Sequence, residues 1–484
     1  MLREMGMDAP LPVLIAGAGP TGLTLAVDLA RRGVVVRIVD ASPVPPKGSR
    51  GKGLQPRTLE IFEDLGVLDE LLAAGTEYPP IRISVGPVPI WQSRMHKHAE
   101  PTEDVPYPNI LMVPQFRTEE ILRARLAELG GQVEWGAMVV DVSDQDADGV
   151  TAVLERGDAR DRVRAAYVVA ADGGRSVIRK QLGIGFEGET HETERMLLGD
   201  VRVEGLAQSR WQVWVNPLRR NKFGVALCPL PGTDLFQFTA PLDAGEAPEL
   251  TLETFQRRLT DRSHRPGIRI TELVWSSIYR VNIRMVDRYR VGRVFLAGDA
   301  AHVHSPAGGQ GLNTGVGDAY NLAWKMAAVL RGAPEDLLDS YETERLPIAA
   351  WVLGISTAYL QGSRSIKGLK RGKETDQLDL TYRGSPLAWG SRAADRAGDR
   401  APDGVLEDGR RLFDLFRGTE PTLLTFGDGW QDGIAVTSSA IRAAYGVPDN
   451  ERRLVLVRPD GYIGVITDSP QTVQDYIRRI TCTG

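Results

Sequence analysis

Cysteine and histidine are scarce in this chain of 484 residues, which contains two cysteines and six histidines. Cys228 and Cys482 form no CxxC pair, so a structural disulfide, a thiol redox centre or a cysteine metal site is not expected. The histidines and acidic residues show no cluster with the spacing of metal ligands. We therefore expect chemistry that uses neither a thiol nor a protein-bound metal.

Long apolar runs and an excess of basic charge are also missing. No apolar run reaches the roughly 20 residues of a membrane span, and residues 1–12 lack the apolar core of an export signal. The net charge of −5 indicates neither nucleic acid nor an anionic membrane as a partner. The chain has no GxSxG elbow and no P-loop, so serine-hydrolase chemistry has no support. A soluble, cytoplasmic protein is expected.

Glycine, in contrast, is abundant, and the cluster GAGPTG at residues 17–22 stands between a strand pattern and a helix pattern. A second β-branched segment, residues 34–39, ends at Asp40. In such a unit the three glycines permit a tight turn, close approach to a phosphate and close helix–strand packing, and the acid binds a ribose. The helix N-terminus favours a pyrophosphate. The pattern predicts a dinucleotide site.

A second formal match to this fingerprint, GIGFEG at residues 183–188, follows no apolar strand and precedes no amphipathic helix. We interpret it as a chance match in a chain with 52 glycines. A separate nicotinamide-binding unit is therefore not predicted.

Another glycine-rich segment, GDAAHVHSPAGGQGLNTG at residues 298–315, follows an apolar run far along the chain. Asp299 could accept hydrogen bonds from a polyol, and the small residues would let the backbone lie against a planar ring. Free N–H groups at the start of the helix predicted for residues 311–331 would favour negative charge on that ring. A nicotinamide dinucleotide needs only the first glycine loop, whereas FAD is long enough to need both. The pair predicts FAD, with His302 and His304 packed beside it.

Two other segments allow more than one interpretation. ADGGRSVIR, residues 171–179, is either a turn that faces a pyrophosphate through Asp172 or an ordinary turn followed by a helix cap. Trp211, Phe223 and Phe238 lie in a block where polarity alternates with a period of two. They either line a pocket for an aromatic substrate or fill the core of a sheet, because alternation only assigns side chains to faces.

Three stretches carry a family resemblance. GAGPTGLTLAVDLARRGVVVRIVD, the Asp172–Gly173 turn and GDAAHVHSPAGGQGLNTGVGDAYNLAWKMA resemble the FAD-dependent aromatic hydroxylases, the single-component flavoprotein monooxygenases with the para-hydroxybenzoate hydroxylase fold. The resemblance is strong over residues 10–350. The C-terminal motifs YRGSPLA, GDRAPD and RLFDLFRG look like the thioredoxin-like third domain of larger members, among them bacterial hydroxylases that modify aromatic polyketides.

The resemblance implies an α/β fold with three parts. Residues 1–195 and 284–383 would form a Rossmann-like FAD-binding domain, and residues 196–283 an inserted, mostly antiparallel sheet domain that binds the substrate. Residues 384–484 would form a linker and a thioredoxin-like domain. Because that domain lacks CxxC, thiol chemistry is not expected of it.

The resemblance also implies roles for single residues. Arg50 and Pro306 would be neighbours of the reacting centre, and no side chain is assigned as a general base. The residues implied to bind the cofactor are Gly17, Gly19, Gly22, Asp40, Arg50, Gln115, Asp172, Asp299, Gly311, Leu312 and Asn313. The residues implied to contact the substrate are Trp211, Phe223, Phe238 and Pro306.

The implied reaction is hydroxylation of a phenolic polycyclic aromatic compound, as in polyketide or antibiotic tailoring. NADPH or NADH would reduce FAD, and the reduced flavin with dioxygen would form a C4a-hydroperoxide that transfers its distal oxygen to the ring. Two alternatives remain open: a Baeyer–Villiger monooxygenase on the same scaffold, and a non-catalytic FAD-containing protein that binds an aromatic ligand. A monomer or a homodimer is expected.

Overall fold

The computed structural model describes residues 10–216, 223–243, 245–305, 309–362, 372–392 and 395–481. Within these residues the chain forms a mixed α/β architecture with separate hydrophobic cores for a dinucleotide-type unit, an antiparallel sheet and a C-terminal unit. The expected α/β class is confirmed.

The first unit is built on a six-stranded sheet in which the central strands are parallel and only the edge pair is antiparallel. Its strand β1 consists of four apolar residues that are all buried, as expected for a parallel strand covered by helices on both faces. The strands are β1 (Val13–Ala16), β2 (Val36–Asp40), β8 (Val133–Trp135), β12 (Tyr167–Ala170), β18 (Arg290–Val291) and β19 (Val294–Leu296), in the order β18-β19-β12-β1-β2-β8.

Helices from distant parts of the chain cover this sheet. Two of them, α1 and α7, contribute apolar residues to the same core as β1. The helices are α1 (Pro20–Arg31), α2 (Pro56–Asp64), α3 (Leu68–Ala74), α4 (Gln115–Glu128), α5 (Val177–Gln181), α7 (Gly311–Leu330) and α8 (Asp339–Gly362). Two small sheets flank them: β3 (Gly53–Leu54), β7 (Leu111–Met112) and β4 (Thr76–Glu77), and β11 (Ala159–Ala165), β10 (Val150–Arg156) and β9 (Met138–Ser143).

The second unit is an eight-stranded, mostly antiparallel sheet. It extends beyond the predicted range of residues 196–283, because two strands that precede this range in the chain pair with its edge. The strands are β5 (Ile81–Val85), β6 (Val88–Ser93), β13 (Glu187–Glu204), β14 (Trp211–Val215), β15 (Phe223–Pro229), β16 (Leu235–Leu242), β17 (Arg269–Met285) and β20 (His302–Val303), in the order β20-β17-β13-β16-β15-β14-β5-β6.

The two faces of this sheet differ, which decides where a ligand can lie. One face packs against helix α6 (Leu252–Ser263), where Phe238 meets Phe255 with ring centres 4.8 Å apart. The neighbouring residue Gln237 points to the other face and bonds to residues 49 and 52 of the first unit. The face that carries Gln237 is called the inner face below.

The C-terminal unit is a five-stranded mixed sheet with short helices. It packs on helix α7 through an apolar cluster that includes Trp324, Leu456 and Tyr476. Its elements are β21 (Trp389–Gly390), α9 (Leu412–Phe416), β22 (Thr422–Phe426), β23 (Ile434–Val436), α10 (Ser439–Ala444), β24 (Arg453–Val457), β25 (Ile463–Thr467) and α11 (Pro470–Ile480), with the strand order β21-β25-β24-β22-β23.

A buried ionic network joins this unit to the helices. Glu344 of α8 accepts hydrogen bonds from Arg458 at 2.6 Å and from Lys325 at 2.7 Å, and Arg458 also pairs with Asp460. All four side chains are almost completely buried. Burial alone would raise the pKa of Glu344, but Arg458 and Lys325 more than offset it and hold that pKa below its ordinary value. The network therefore joins the C-terminal unit to α7 and α8 through buried groups that are all paired.

Candidate active site

The glycines of residues 17–22 form a sharp turn between β1 and α1. Gly17 has a φ of +104°, and a Cβ atom there would overlap the carbonyl oxygen of Ala171. A Cβ atom at Gly22 would overlap the carbonyl oxygen of Gly17. At Gly19, in contrast, a Cβ atom would meet no protein atom within 4 Å. Gly17 and Gly22 are required by the fold itself, and Gly19 leaves an open side at the helix N-terminus that fits a pyrophosphate.

Asp40 lies beside this turn at the end of β2. Its carboxylate accepts the N–H of Ala18 at 2.7 Å and the N–H of Ser42 at 2.8 Å. Since each carboxylate oxygen has a second lone pair, the half-buried side chain can also accept the hydroxyls of a ribose. The acid predicted to bind a ribose therefore lies beside the glycine turn.

The second glycine segment lies directly against the first. A Cβ atom at Gly298 would come within 2.5 Å of the Thr21 hydroxyl oxygen, and one at Gly315 would overlap the same hydroxyl. Thr21 belongs to the loop of residues 17–22, so the two glycine segments share one crevice. This juxtaposition meets the geometric condition on which the prediction of FAD rests.

Asp299 follows Gly298 and is exposed, while the surrounding protein raises its pKa by desolvation. His302 and Arg50 oppose this rise through their charges. Solvent reaches this side chain, so a polyol chain could approach it.

The turn at Asp172 adjoins both glycine segments. Its Cα would be 3.1 Å from a Cβ atom at Gly17, and the next turn residue, Gly174, faces the carbonyl of Asp299. The carboxylate of Asp172 accepts the N–H of Val177 at 2.9 Å through Oδ2, while Ser176 is the residue that caps helix α5. Oδ1 of Asp172 has no hydrogen-bond partner among the described residues, so both interpretations of this turn stay open.

The start of helix α7 supplies the far end of the crevice. The side-chain amide of Asn313 donates to the carbonyls of Gly53 and Gly309, and its oxygen accepts from Gln55 and Thr58. It is therefore fully used within the protein. What remains for a ligand is the main-chain N–H groups of residues 311–313, since no side chain among the described residues caps this helix.

Gln115 contacts the loop that carries Arg50 near this end. Gln115 accepts the N–H of Gly51 at 2.9 Å and donates to Glu119 at 2.8 Å, while Leu312 packs near Gly51. Arg50 is exposed, and its charge acts to lower the pKa values of both Glu119 and Asp299, so it lies near both carboxylates. Burial raises the pKa of Glu119 to about 7, and Gln115, Arg123 and Arg50 oppose the rise.

One residue that sequence reasoning missed holds the second glycine segment in place. Asp318, fully buried in α7, accepts the N–H of Gly298 at 3.0 Å, His302 Nε2 at 2.7 Å and Arg345 Nε at 2.7 Å. Burial alone would raise the pKa of Asp318, but Arg345 and His302 lower it overall. The available signal was that Asp318 is the one acidic residue in the sequence of α7.

The predicted substrate residues separate into two groups. Trp211 and Phe223 are half-buried and belong to a cluster on the inner face, near residues 81 and 83. Phe238 is fully buried on the opposite face against Phe255, so the structure does not bring it to the crevice; its environment is that of a core residue. Pro306 lies outside the described residues.

Two negative findings apply to the described ranges only. No group of three or more histidine, cysteine or acidic residues there could hold a metal ion. No helix in that part of the chain is long and apolar enough to cross a membrane.

A glycine turn, an acid at the end of β2, a second glycine segment and a helix start form the arrangement typical of a dinucleotide-binding flavoprotein, and they lie beside the eight-stranded sheet. Comparison with known proteins agrees with this class. The model of an FAD-binding domain family matches residues 10–356, and that of the aromatic-ring hydroxylase C-terminal domain matches residues 394–481.

Individual relatives cover nearly the whole chain. A flavin-dependent monooxygenase of Mycobacteroides abscessus is 48% identical over 481 residues, which cover 97% of this chain and 100% of that protein. The 6-methylpretetramide 4-monooxygenase of Streptomyces rimosus is 36% identical and covers 94% of this chain and 90% of its own length. The structure of aklavinone-11 hydroxylase with FAD and aklavinone superimposes with a TM-score of 0.80 at 28% identity, covering 99% of this chain and 100% of that one.

The chain therefore belongs to the family of FAD-binding aromatic-ring hydroxylases, and the protein is a flavin-dependent monooxygenase. The expected family, enzyme class and FAD cofactor are confirmed. The roles of the individual cofactor-binding and substrate-binding residues stay predictions.

Proposed function

We propose that the enzyme hydroxylates a phenolic, polycyclic aromatic compound of the polyketide type and consumes NADPH or NADH. Relatives named for 6-methylpretetramide and anhydrotetracycline, at 36% and 33% identity, support the substrate class. The observation that carries the proposal is that the inner face lies next to the loop that carries Arg50. The ammonium of Lys52, two residues after Arg50 in the chain, lies 5.0 Å from the centre of the Trp211 ring on this face. A flat aromatic molecule on this face would lie next to the cofactor.

The residues of the crevice have defined parts in this proposal. Bound FAD would accept a hydride from the nicotinamide and would activate dioxygen. Asp40 and Asp299 would orient the cofactor by accepting hydrogen bonds from its hydroxyls. Arg50 and the N–H groups that open α7 would stabilise negative charge at its ring. The apolar side chains around Trp211 would exclude water from the reacting centre.

The test is substrate-dependent oxidation of NADPH and NADH by the FAD-loaded enzyme, with a panel of polycyclic phenols and ¹⁸O₂. Hydroxylation predicts a product that gains one labelled oxygen and that proton NMR identifies as a phenol or quinone. A lactone would show a Baeyer–Villiger reaction instead. Tight FAD and aromatic binding without any stimulated oxidation would contradict catalysis and leave the binding-protein alternative.

A further inference from the structure

The loop of residues 48–52, which carries Arg50, packs against the inner face of the eight-stranded sheet and forms hydrogen bonds to it. Gly48 lies under the indole of Trp275, which a Cβ atom at that position would overlap. Gln237 donates from its amide to the carbonyl of Ser49 and accepts from the ammonium of Lys52. The segment on which Arg50 stands is therefore attached to the sheet on both sides of that residue.

Asp200 of β13 lies at the centre of this contact. Its Oδ2 accepts the N–H of Ser49 at 2.8 Å, and the side chain is fully buried. Strand register places it opposite Gln237 on β16 and opposite Trp275 on β17. Its second oxygen, Oδ1, has no hydrogen-bond partner in the part of the chain that the structure describes. The cation that faces it, Lys52, donates its hydrogen bond to Gln237.

This donor set suits an uncharged carboxylic acid. A buried carboxylate is stabilised by several donors, whereas Asp200 has, among the residues that the structure describes, one donor and one oxygen without a partner. Burial raises the pKa of Asp200 to about 7, and the Ser49 N–H and Lys52 keep it from rising further. The neighbouring thiol of Cys228 stays neutral, because burial raises its pKa to about 11. On this side of the loop, Asp200 is the group that changes charge near neutral pH.

We propose that Asp200 positions Arg50 for the cofactor. While Asp200 is protonated, it holds the loop of residues 48–52 through the N–H of Ser49, and when Asp200 ionises the loop is released. Water can hydrate the ionised carboxylate only after release, because the attached loop keeps the carboxylate buried. Ionisation therefore favours the released loop, and the fraction released rises between the ordinary pKa of an aspartate and about pH 7. The role concerns the cofactor loop and does not depend on which substrate the enzyme hydroxylates.

The test is hydrogen exchange of the Ser49 amide in the full-length protein at pH 6 and pH 8.5, without FAD, expressed as protection factors. If release restores an ordinary aspartate pKa, protection falls about tenfold at the higher pH. Asp200→Asn cannot ionise, and its amide oxygen still accepts the Ser49 N–H, so it should stay equally protected at both pH values. The dissociation constant of FAD, from flavin fluorescence, should rise with pH in the wild type and stay level in Asp200→Asn.

Glu119 provides a matched control, because its pKa is also raised to about 7 and it reaches the same loop through Gln115 and Gly51. Glu119→Gln should keep the pH response at Ser49. The proposal is overturned if wild-type protection does not change with pH, if Asp200→Asn shows the wild-type change, or if Glu119→Gln abolishes it. None of these readouts requires turnover, so failure of the proposed hydroxylation would leave them interpretable.

Discussion

The C-terminal interface and the cofactor crevice differ in how completely their buried ionisable side chains are paired. At the interface, Glu344 is paired with Lys325 and Arg458, which pairs in turn with Asp460. Beneath the cofactor loop, Asp200 has a single donor and an oxygen without a partner among the described residues. The paired side chains at the interface stabilise one arrangement of the C-terminal unit. The incompletely paired Asp200 is a side chain whose charge can change.

The two regions are also expected to respond to pH with opposite sign. The native pKa of Glu344 is lowered, so its contribution to stability is present above the ordinary glutamate pKa and lost as the pH falls. The native pKa of Asp200 is raised to about 7, so its contribution is present at low pH and lost as the pH rises towards 7. Acid should therefore loosen the C-terminal interface, and neutral pH the cofactor loop.

The largest expected effect comes from breaking the paired region. Glu344→Gln leaves two buried cations with one carboxylate fewer, and the cost in free energy of unfolding should be about 3–5 kcal/mol. Chemical denaturation of the variant and the wild type measures it. A loss below about 1 kcal/mol would contradict the view that this network depends on complete pairing.

The glycine turn offers a contrast between a structural and a functional position. Gly17→Ala forces a Cβ atom against a carbonyl oxygen at a positive φ, and should cost about 2–3 kcal/mol of stability even without ligand. Gly19→Ala has space, so its stability without ligand should be unchanged. Its FAD affinity should fall roughly tenfold to a hundredfold, because hydrogen bonds to the pyrophosphate are lost. Thermal unfolding without FAD and FAD titration separate the two effects; equal destabilisation by both variants would refute the distinction.

The two faces of the sheet can be compared with one substitution. Phe238→Leu, in the core against α6, should lower stability by about 1 kcal/mol and leave the KM of the aromatic substrate unchanged. Phe223→Leu, on the inner face, should raise KM with little change in stability. Denaturation and steady-state kinetics test the pair. A raised KM in Phe238→Leu alone would reassign the substrate face.

The smallest effect is expected at an exposed ion pair, which sets the baseline for Glu344. Glu155 and Arg160 pair at 2.8 Å on the surface of the small antiparallel sheet. Glu155→Gln removes the same charge as Glu344→Gln and should change stability by no more than about 0.5 kcal/mol. The same denaturation experiment measures it. Equal losses in the two variants would show that burial does not distinguish the pairs.

Much of the fold and part of the site could be predicted from the sequence. The glycine turn, Asp40 and the helix after residue 310 were predicted because each depends on neighbouring residues: positive φ, strand alternation and helix periodicity. The participation of residues 81–93 in the large sheet could not be predicted, since pairing between β5 and β14 joins segments far apart in the chain. The face on which Phe238 lies could not be predicted either, because alternation does not say which face of the sheet meets α6.

By itself the sequence determined that two glycine-rich turns form and that they suit the two ends of one FAD molecule, since backbone freedom is a property of the residue at each position. Only the tertiary structure decided which polar groups are used up inside the protein, as in Asn313, and which are left incomplete, as in Asp200. Burial and hydrogen-bond partners come from segments far apart in the chain, and these set the charge that a side chain carries.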